Sequence, residues 1–134
     1  MVRYTFKKEE RLCNKKLLTK LFQSGSSFIL YPYRISFLPS QHLPHPIQIV
    51  VSVPKRRFKR AVDRNLLKRR TREAYRLQKH ILHTFITHHE EELLLAFQYI
   101  GKEILDYQTI HKRMGIALAK IQHEYNTHHM AKGN

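Results

Sequence analysis

The spacing of hydrophobic positions changes several times along the chain. Over residues 9–23, EERLCNKKLLTKLFQ, the residues Cys13, Leu17, Leu18, Leu21 and Phe22 recur at helical intervals, with Lys15, Lys16 and Lys20 mostly elsewhere. This predicts a helix that stops at SGSS, residues 24–27, with Gly25 as its C-terminal cap. Over 28–38, FILYPYRISFL, the period falls to two: Tyr31, Tyr33, Ile35 and Phe37 alternate with Pro32, Arg34 and Ser36. That predicts a strand, with Pro32 marking an edge or a bulge. The prolines of 39–46 predict a loop. A second strand, IQIVVSV at 47–53, sets Ile47, Ile49, Val51 and Val53 against a mixed face of Gln48, Val50 and Ser52. Such a strand belongs to a sheet with one covered side and one open side.

Beyond a basic stretch, residues 80–92 continue or add helix, 93–100 read as a buried strand, and Gly101 as a turn. Asp106 is a fitting N-cap for a last helix whose stripe is Ile110, Met114, Ala117, Leu118, Ile121 and Tyr125. The tail from about 126 is expected to fray. Neither a repeat nor a compositional break divides the chain, so residues 1–134 form one domain. The order helix, strands, helix, strand, helix predicts an α+β sandwich of helices on one sheet.

The basic stretch changes this picture most. Between 59 and 76 stand Lys59, Arg60, Arg64, Lys68, Arg69, Arg70, Arg72 and Arg76. On a helical wheel at about 100° per residue, Arg64, Asn65, Lys68, Arg69, Arg72 and Arg76 share one arc. Val62, Leu66, Leu67, Ala74 and Leu77 share the opposite one, and Arg70 falls among them, where it must snorkel or lie at the packing edge. A disordered tail has no reason to sort its residues in this way. A merely solvated face would mix signs to form i,i+4 pairs. Like charges at i,i+4, such as Arg64 with Lys68 and Lys68 with Arg72, fit a face crossed by phosphates, and Arg suits phosphate oxygens. Lys55, Arg56, Arg57, Lys59 and Arg60 carry the charge into the preceding loop. Asn65 can both donate and accept hydrogen bonds there, or be a plain surface residue.

The totals agree. Lys and Arg number 25 against 10 Asp and Glu, a formal net charge of +15. Self-repulsion on this scale is relieved by a polyanion, with nucleic acid the leading candidate and an anionic membrane surface the second. Hydrophobic residues at 42% exclude a disordered chain. A single cysteine, Cys13, allows neither an internal disulfide nor a CxxC metal or redox site. With no run of ~20 apolar residues and no apolar core in MVRYTFKKEERL, a soluble cytoplasmic protein without membrane association is expected.

The stretch VSVPKRRFKRAVDRNLLKRRTREAYR resembles the signature of the bacterial ribonuclease P protein component. The matching residues are Ser52, Val53, Lys55, Ala61, Val62, Arg64, Asn65, Lys68, Arg69, Arg72, Glu73 and Ala74. Arg11, Leu12, Phe22 and Gly25 are in register with the family's first helix, and LLLAFQYIGKE with its final strand. The chain departs from the pattern at Leu66, where the family has an arginine, and at Arg70, where an apolar residue is common. Further departures are Pro54, Phe58 and Leu18. The resemblance implies an αβββαβα fold: a four-stranded mixed sheet with helices packed on it and a left-handed βαβ crossover. It implies the catalytic RNA of ribonuclease P as partner, with the 5′ leader of precursor tRNA as the second RNA bound. It also implies that RNA and its Mg²⁺ carry the hydrolysis, so that the protein alone is inactive, has no cofactor of its own, and is monomeric when free.

Under that resemblance the RNA-binding residues are Lys55, Arg56, Arg57, Lys59, Arg60, Arg64, Asn65, Lys68, Arg69, Arg72 and Arg76. The leader would lie in a cleft between the first helix and the open sheet face. Single-stranded RNA favours aromatic platforms beside cations, which makes Phe22, Tyr31 and Tyr33 candidates, each equally suited to the core. Arg34, Ser36, Gln48 and Ser52 are the candidates on the other strand face, and alternation alone does not decide between the faces. Asp63, Glu73 and Asp106 have no catalytic motif around them. The pairs His80/His83, His88/His89 and His128/His129 lack a Cys or carboxylate cluster, so surface histidines are expected rather than a metal site. A ribosomal or general RNA-binding protein of similar fold shares the charge but has no reason to carry the signature. A protein-only nuclease would need clustered carboxylates, and a helix-turn-helix DNA reader a second short helix before the basic one.

Overall fold

In the computed structural model, which describes the backbone of residues 6–132 and the side chains of 6–127, the elements run as expected in kind but not always in extent. A 3₁₀ turn at Lys8–Glu10 precedes helix α1, Lys15–Ser24. Strands β1, Ser26–Leu30, and β2, Tyr33–Ser40, form a hairpin, followed by β3, Ile47–Ser52. Helix α2, Ala61–His88, leads to β4, Glu92–Tyr99, and helix α3, Tyr107–Lys132, closes the chain. This is the αβββαβα order, with one mixed sheet in the order β1-β2-β4-β3. β4 pairs antiparallel with β2 and parallel with β3, so α2 is the crossover between neighbouring parallel strands.

Three boundaries differ from the sequence reading, and Gly25 is the expected cap in another conformation. The first helix begins at Lys15, not near 9, because Asn14 caps it: its side chain accepts from the backbone N–H groups of Lys16 and Leu17. The segment before it runs beside β3, with the Leu12 N–H donating to Ile49 O at 2.8 Å. Cys13, assigned to the apolar side of a helix, is therefore exposed. The strand predicted over 28–38 is two strands. Tyr31 and Pro32 are their turn, where proline, lacking an N–H, cannot extend the ladder. Gly25 ends α1 without a left-handed conformation; its φ is −76°. A side chain there would press on the carbonyl oxygens of Leu21 and Phe37, so close approach is what requires glycine. At the other end α3 continues to Lys132, past the point where the sequence predicts fraying, and Gly133 and Asn134 lie outside the described residues.

The sheet has two unlike faces. Tyr33, Ile35, Phe37, Ile49, Val51, Leu95, Phe97 and Tyr99 point to one side and pack with α2 and α3. The α3 stripe named from sequence, from Ile110 to Tyr125, is buried there in full. On the other side Leu94 and Ala96 form a smaller core with Leu12 and Leu21, joined by Leu17, Leu18, Leu38, Leu43 and Val50. Thus α1 and the segment before it cover only part of the second face. Residues 80–88 prolong α2 rather than adding an element: Leu82 and Ile86 are buried, and Phe85 meets Tyr125 of α3 edge-on at 5.5 Å.

Candidate nucleic-acid interface

The basic loop is anchored from inside and charged outside. Phe58 is buried and lies edge-on to Tyr99 at 5.7 Å. Turn bonds from Arg57 N–H and Phe58 N–H to Pro54 O fold the chain back. Arg64 of α2 donates from Nη1 to the carbonyl oxygens of Phe58 and Lys59, at 2.7 and 2.9 Å. Arg57 donates from Nη1 to Ile100 O at 2.5 Å. Lys55, Arg56, Lys59 and Arg60 are exposed, and their side chains form no hydrogen bond or ion pair with another described residue.

Along α2 the buried stripe is Leu67, Thr71, Ala74, Tyr75, Leu82 and Ile86. It is rotated from the stripe expected of the apolar letters. Val62 is 66% exposed and Leu66 and Leu77 are only half-buried, whereas Thr71 and Tyr75 are inside. Polar residues can occupy that stripe because their hydrogen bonds are met inside it. Thr71 gives its hydroxyl proton to Leu67 O at 2.8 Å and accepts from Tyr33 Oη at 2.7 Å, so both hydroxyls are satisfied inside the core. Arg70 does lie at a packing edge, donating to Leu105 O at 2.7 Å. Asn65 and Arg69 are exposed, and Lys68 and Arg72 half-buried, none with a hydrogen-bond or ionic partner among the described residues. Arg76, placed on the free cationic face by the wheel, is instead clasped by Glu73 one turn back. That contact holds the Glu73 carboxyl below its ordinary range.

A further cation comes from outside the helix. Arg11 lies over the Phe6 ring, 5.6 Å from its centre, and Phe6 packs edge-on against Tyr75. Burial first, and then the charge of Arg11, lowers the Arg72 guanidinium from its ordinary range. The signature match marks Arg11 only as part of the first helix; its place beside α2 depends on the extended segment that pairs with β3.

Part of the second sheet face is left uncovered. Arg34, Gln98 and Ser52 stand abreast on β2, β4 and β3, with Ile29 of β1 beside Arg34. Arg34 and Gln98 are exposed, Ser52 is half-buried, and Ile29 is 62% exposed. The next row holds Ser36 and Ala96 at the floor. Phe22 of α1 is 55% exposed. Two expected lining residues are excluded. Tyr33 has no exposed surface and belongs to the core, where burial raises its phenol well above the usual range. Gln48 is covered by the 3₁₀ turn and spends its Nε2 on Glu9 O at 2.9 Å. Tyr31 is exposed but sits in the hairpin turn, near enough to Tyr99 to help raise that phenol after burial. Gln98 and Ile29 were not singled out from sequence; the signal was a lone polar residue in β4, alternating with Leu95, Phe97 and Tyr99.

Two further acidic residues, besides Glu73, are engaged within the fold. Glu10 is buried, pairs with Lys79, and accepts the Lys7 N–H at 2.7 Å. Asp106 caps α3, accepting the Thr109 N–H at 2.9 Å. His83 is half-buried, its ring 5.6 Å from that of His45, so it is not a plain surface residue. His89 stacks on Phe85 at 4.3 Å. Among the described residues no group of three or more His, Cys, Asp or Glu could hold a metal ion. Nor is any helix of the described residues long and apolar enough to cross a membrane. His128 and His129 lie outside the described side chains.

A mixed four-stranded sheet with one parallel βαβ unit, a cationic loop and helix and an open polar sheet face defines an α+β protein with a surface suited to a polyanion. Residues 6–122 match the family model Ribonuclease P. The Ribonuclease P protein component of Porphyromonas gingivalis strain ATCC 33277 is 37% identical over 115 residues, covering 85% of this chain and 84% of the relative. That of Chlorobaculum tepidum is 36% identical over 94 residues, 63% of this chain and 60% of the relative. In fold, the RNase P protein from Thermotoga maritima matches with a TM-score of 0.67 at 20% identity, over 83% of this chain and 96% of that one. The Staphylococcus aureus RNase P protein gives 0.59 at 16% identity, over 84% and 94%. The chain belongs to the ribonuclease P protein family, and the RNA of that ribonucleoprotein is its partner.

Proposed function

We propose that the chain assists ribonuclease P by holding two RNAs on separate surfaces. The basic loop and the adjoining cations of α2 seat the catalytic RNA; the open sheet face beside α1 takes the single-stranded 5′ leader of precursor tRNA. The observation that carries this is the uncovered row Arg34–Gln98–Ser52, on the sheet face that α1, with its exposed Phe22, covers only in part. Together they offer a cation, hydrogen-bonding side chains and an aromatic face, the means by which unpaired nucleotides are held. Phosphodiester hydrolysis belongs to the RNA with its Mg²⁺. The engagement of Glu10, Glu73 and Asp106 in packing, pairing and capping supports a non-catalytic protein. We place the protein in the cytoplasm, monomeric when free.

The test is reconstitution with a bacterial ribonuclease P RNA and precursor tRNA at limiting Mg²⁺. Cleavage at the mature 5′ end should be stimulated, with none by the protein alone. Unaided cutting, or an RNA that gains nothing from the protein, would overturn this function.

A further inference from the structure

Not every arginine of the basic segment is free to meet RNA. Arg64 has its Nη1 between two carbonyl oxygens of the loop that precedes its own helix, Phe58 O at 2.7 Å and Lys59 O at 2.9 Å. Those carbonyls would otherwise face solvent in a segment with little regular structure. Phe58 is sunk against Tyr99, and Arg57 is fastened to Ile100 O, so the loop is held at three points. Arg60, the N-cap of α2, makes no side-chain cap bond, so the start of the helix lacks the usual local lock. What these fastenings leave outward is Lys55, Arg56, Lys59 and Arg60, all exposed and without a described partner.

We infer that Arg64 is a positioning residue: its guanidinium holds the 58–59 backbone so that the loop cations are presented together to RNA, and its charge is not itself a phosphate contact. A charged donor on a carbonyl is stronger than a neutral one, and the planar fork suits two acceptors at once. A loop free to move would have to be ordered on binding, at a cost in entropy that falls on every loop contact together. Loss of Arg64 therefore acts through the loop. The inference rests on the RNA-binding role proposed above.

The test is a double-mutant cycle read by salt dependence. Binding to a ribonuclease P RNA transcript is measured over a salt series for wild type, for Arg64→Met, for the loop variant Lys55→Gln/Arg56→Gln/Lys59→Gln/Arg60→Gln, and for all five changes together. Each lost phosphate contact lowers the log–log slope by roughly 0.7–0.9. Arg64→Met should lower it by more than one contact in the wild-type loop and by nothing further in the neutralised loop. Equal losses of about one contact in both backgrounds would show that Arg64 touches phosphate itself, and would sink the inference. If wild type does not bind the transcript, the functional reading fails instead.

A second measurement needs no RNA. Amide exchange at 55–60 should accelerate at least tenfold in Arg64→Met while β4 amides keep their protection. Should Arg64→Met lose β4 protection as well, Arg64→Lys replaces it. Lysine keeps the charge but not the planar fork, so faster loop exchange and a lowered slope are expected together. A full slope with a freely exchanging loop overturns the proposal.

Discussion

Tyr33 and Phe22 are both aromatic, lie near the same strands, and have opposite fates. Tyr33 donates to Thr71 within the core; Tyr33→Phe should lower stability by about 1 kcal/mol, measured by urea unfolding, and leave leader affinity unchanged. Phe22 is more than half exposed, so Phe22→Ala should barely change stability. It should weaken binding of a leader oligonucleotide by roughly 1–3 kcal/mol, the scale of one stacked base. A reversal of the two results would place the leader on the other sheet face. Gly25 acts through space rather than through φ. Gly25→Ala should destabilise by about 1–3 kcal/mol, since its methyl meets the Leu21 and Phe37 carbonyls.

At the scale of elements, α1 depends on one side chain for its start. Asn14→Ala should cost about 1 kcal/mol in unfolding free energy, because two N–H groups lose their acceptor. Helix α2 is long because its last turns pack on α3, and there His83 adds a pH dependence. Burial first, then His45 and Lys79, lower its pKa, and only Glu10 opposes them. The fold thus favours the neutral ring. The stability this lends is present above the ordinary value of 6.5 and is lost as pH falls through the depressed one. Thermal midpoints should fall on acidification below about pH 6.5, and His83→Gln should flatten that decline. An unchanged decline would assign it to other groups.

For the molecule as a whole, the charge is divided unevenly between the two surfaces proposed to meet RNA. The loop and α2 carry a run of exposed or half-buried cations, while the row at Arg34 and Gln98 offers one cation among neutral groups. With about six phosphate contacts, binding of a single strand would follow a log–log salt slope near −4, and that of a folded RNA a steeper one. Titration against the ribonuclease P RNA and against a leader oligonucleotide should show the leader far less sensitive to salt. Arg11→Ala should lower the slope for the folded RNA, since that guanidinium stands beside Arg72.

Local pattern determined much of this protein. Periods of two and 3.6 located the elements, the α3 stripe and the two-sided character of β3, since these depend only on which neighbours along one segment share a face. The unmixed positive sign of the loop and α2 pointed to a polyanion, and the order of residues around Arg64 and Asn65 carried the family resemblance. What lay beyond local pattern needed distant contacts. The hairpin turn at Pro32 was hidden within a continuous alternation. The true buried stripe of α2 includes Thr71 and Tyr75 because Tyr33, from a strand far away in sequence, satisfies one hydroxyl and the packing of Phe6 and the core takes the other ring. Which strand face stays open was decided by where α1 and the segment before it dock. Which arginines remain free was decided by carbonyls of Phe58, Lys59, Ile100 and Leu105 and by the carboxylate of Glu73. Charge is a property of the residue and is legible in the sequence; whether that charge is available depends on what the fold brings within hydrogen-bonding distance.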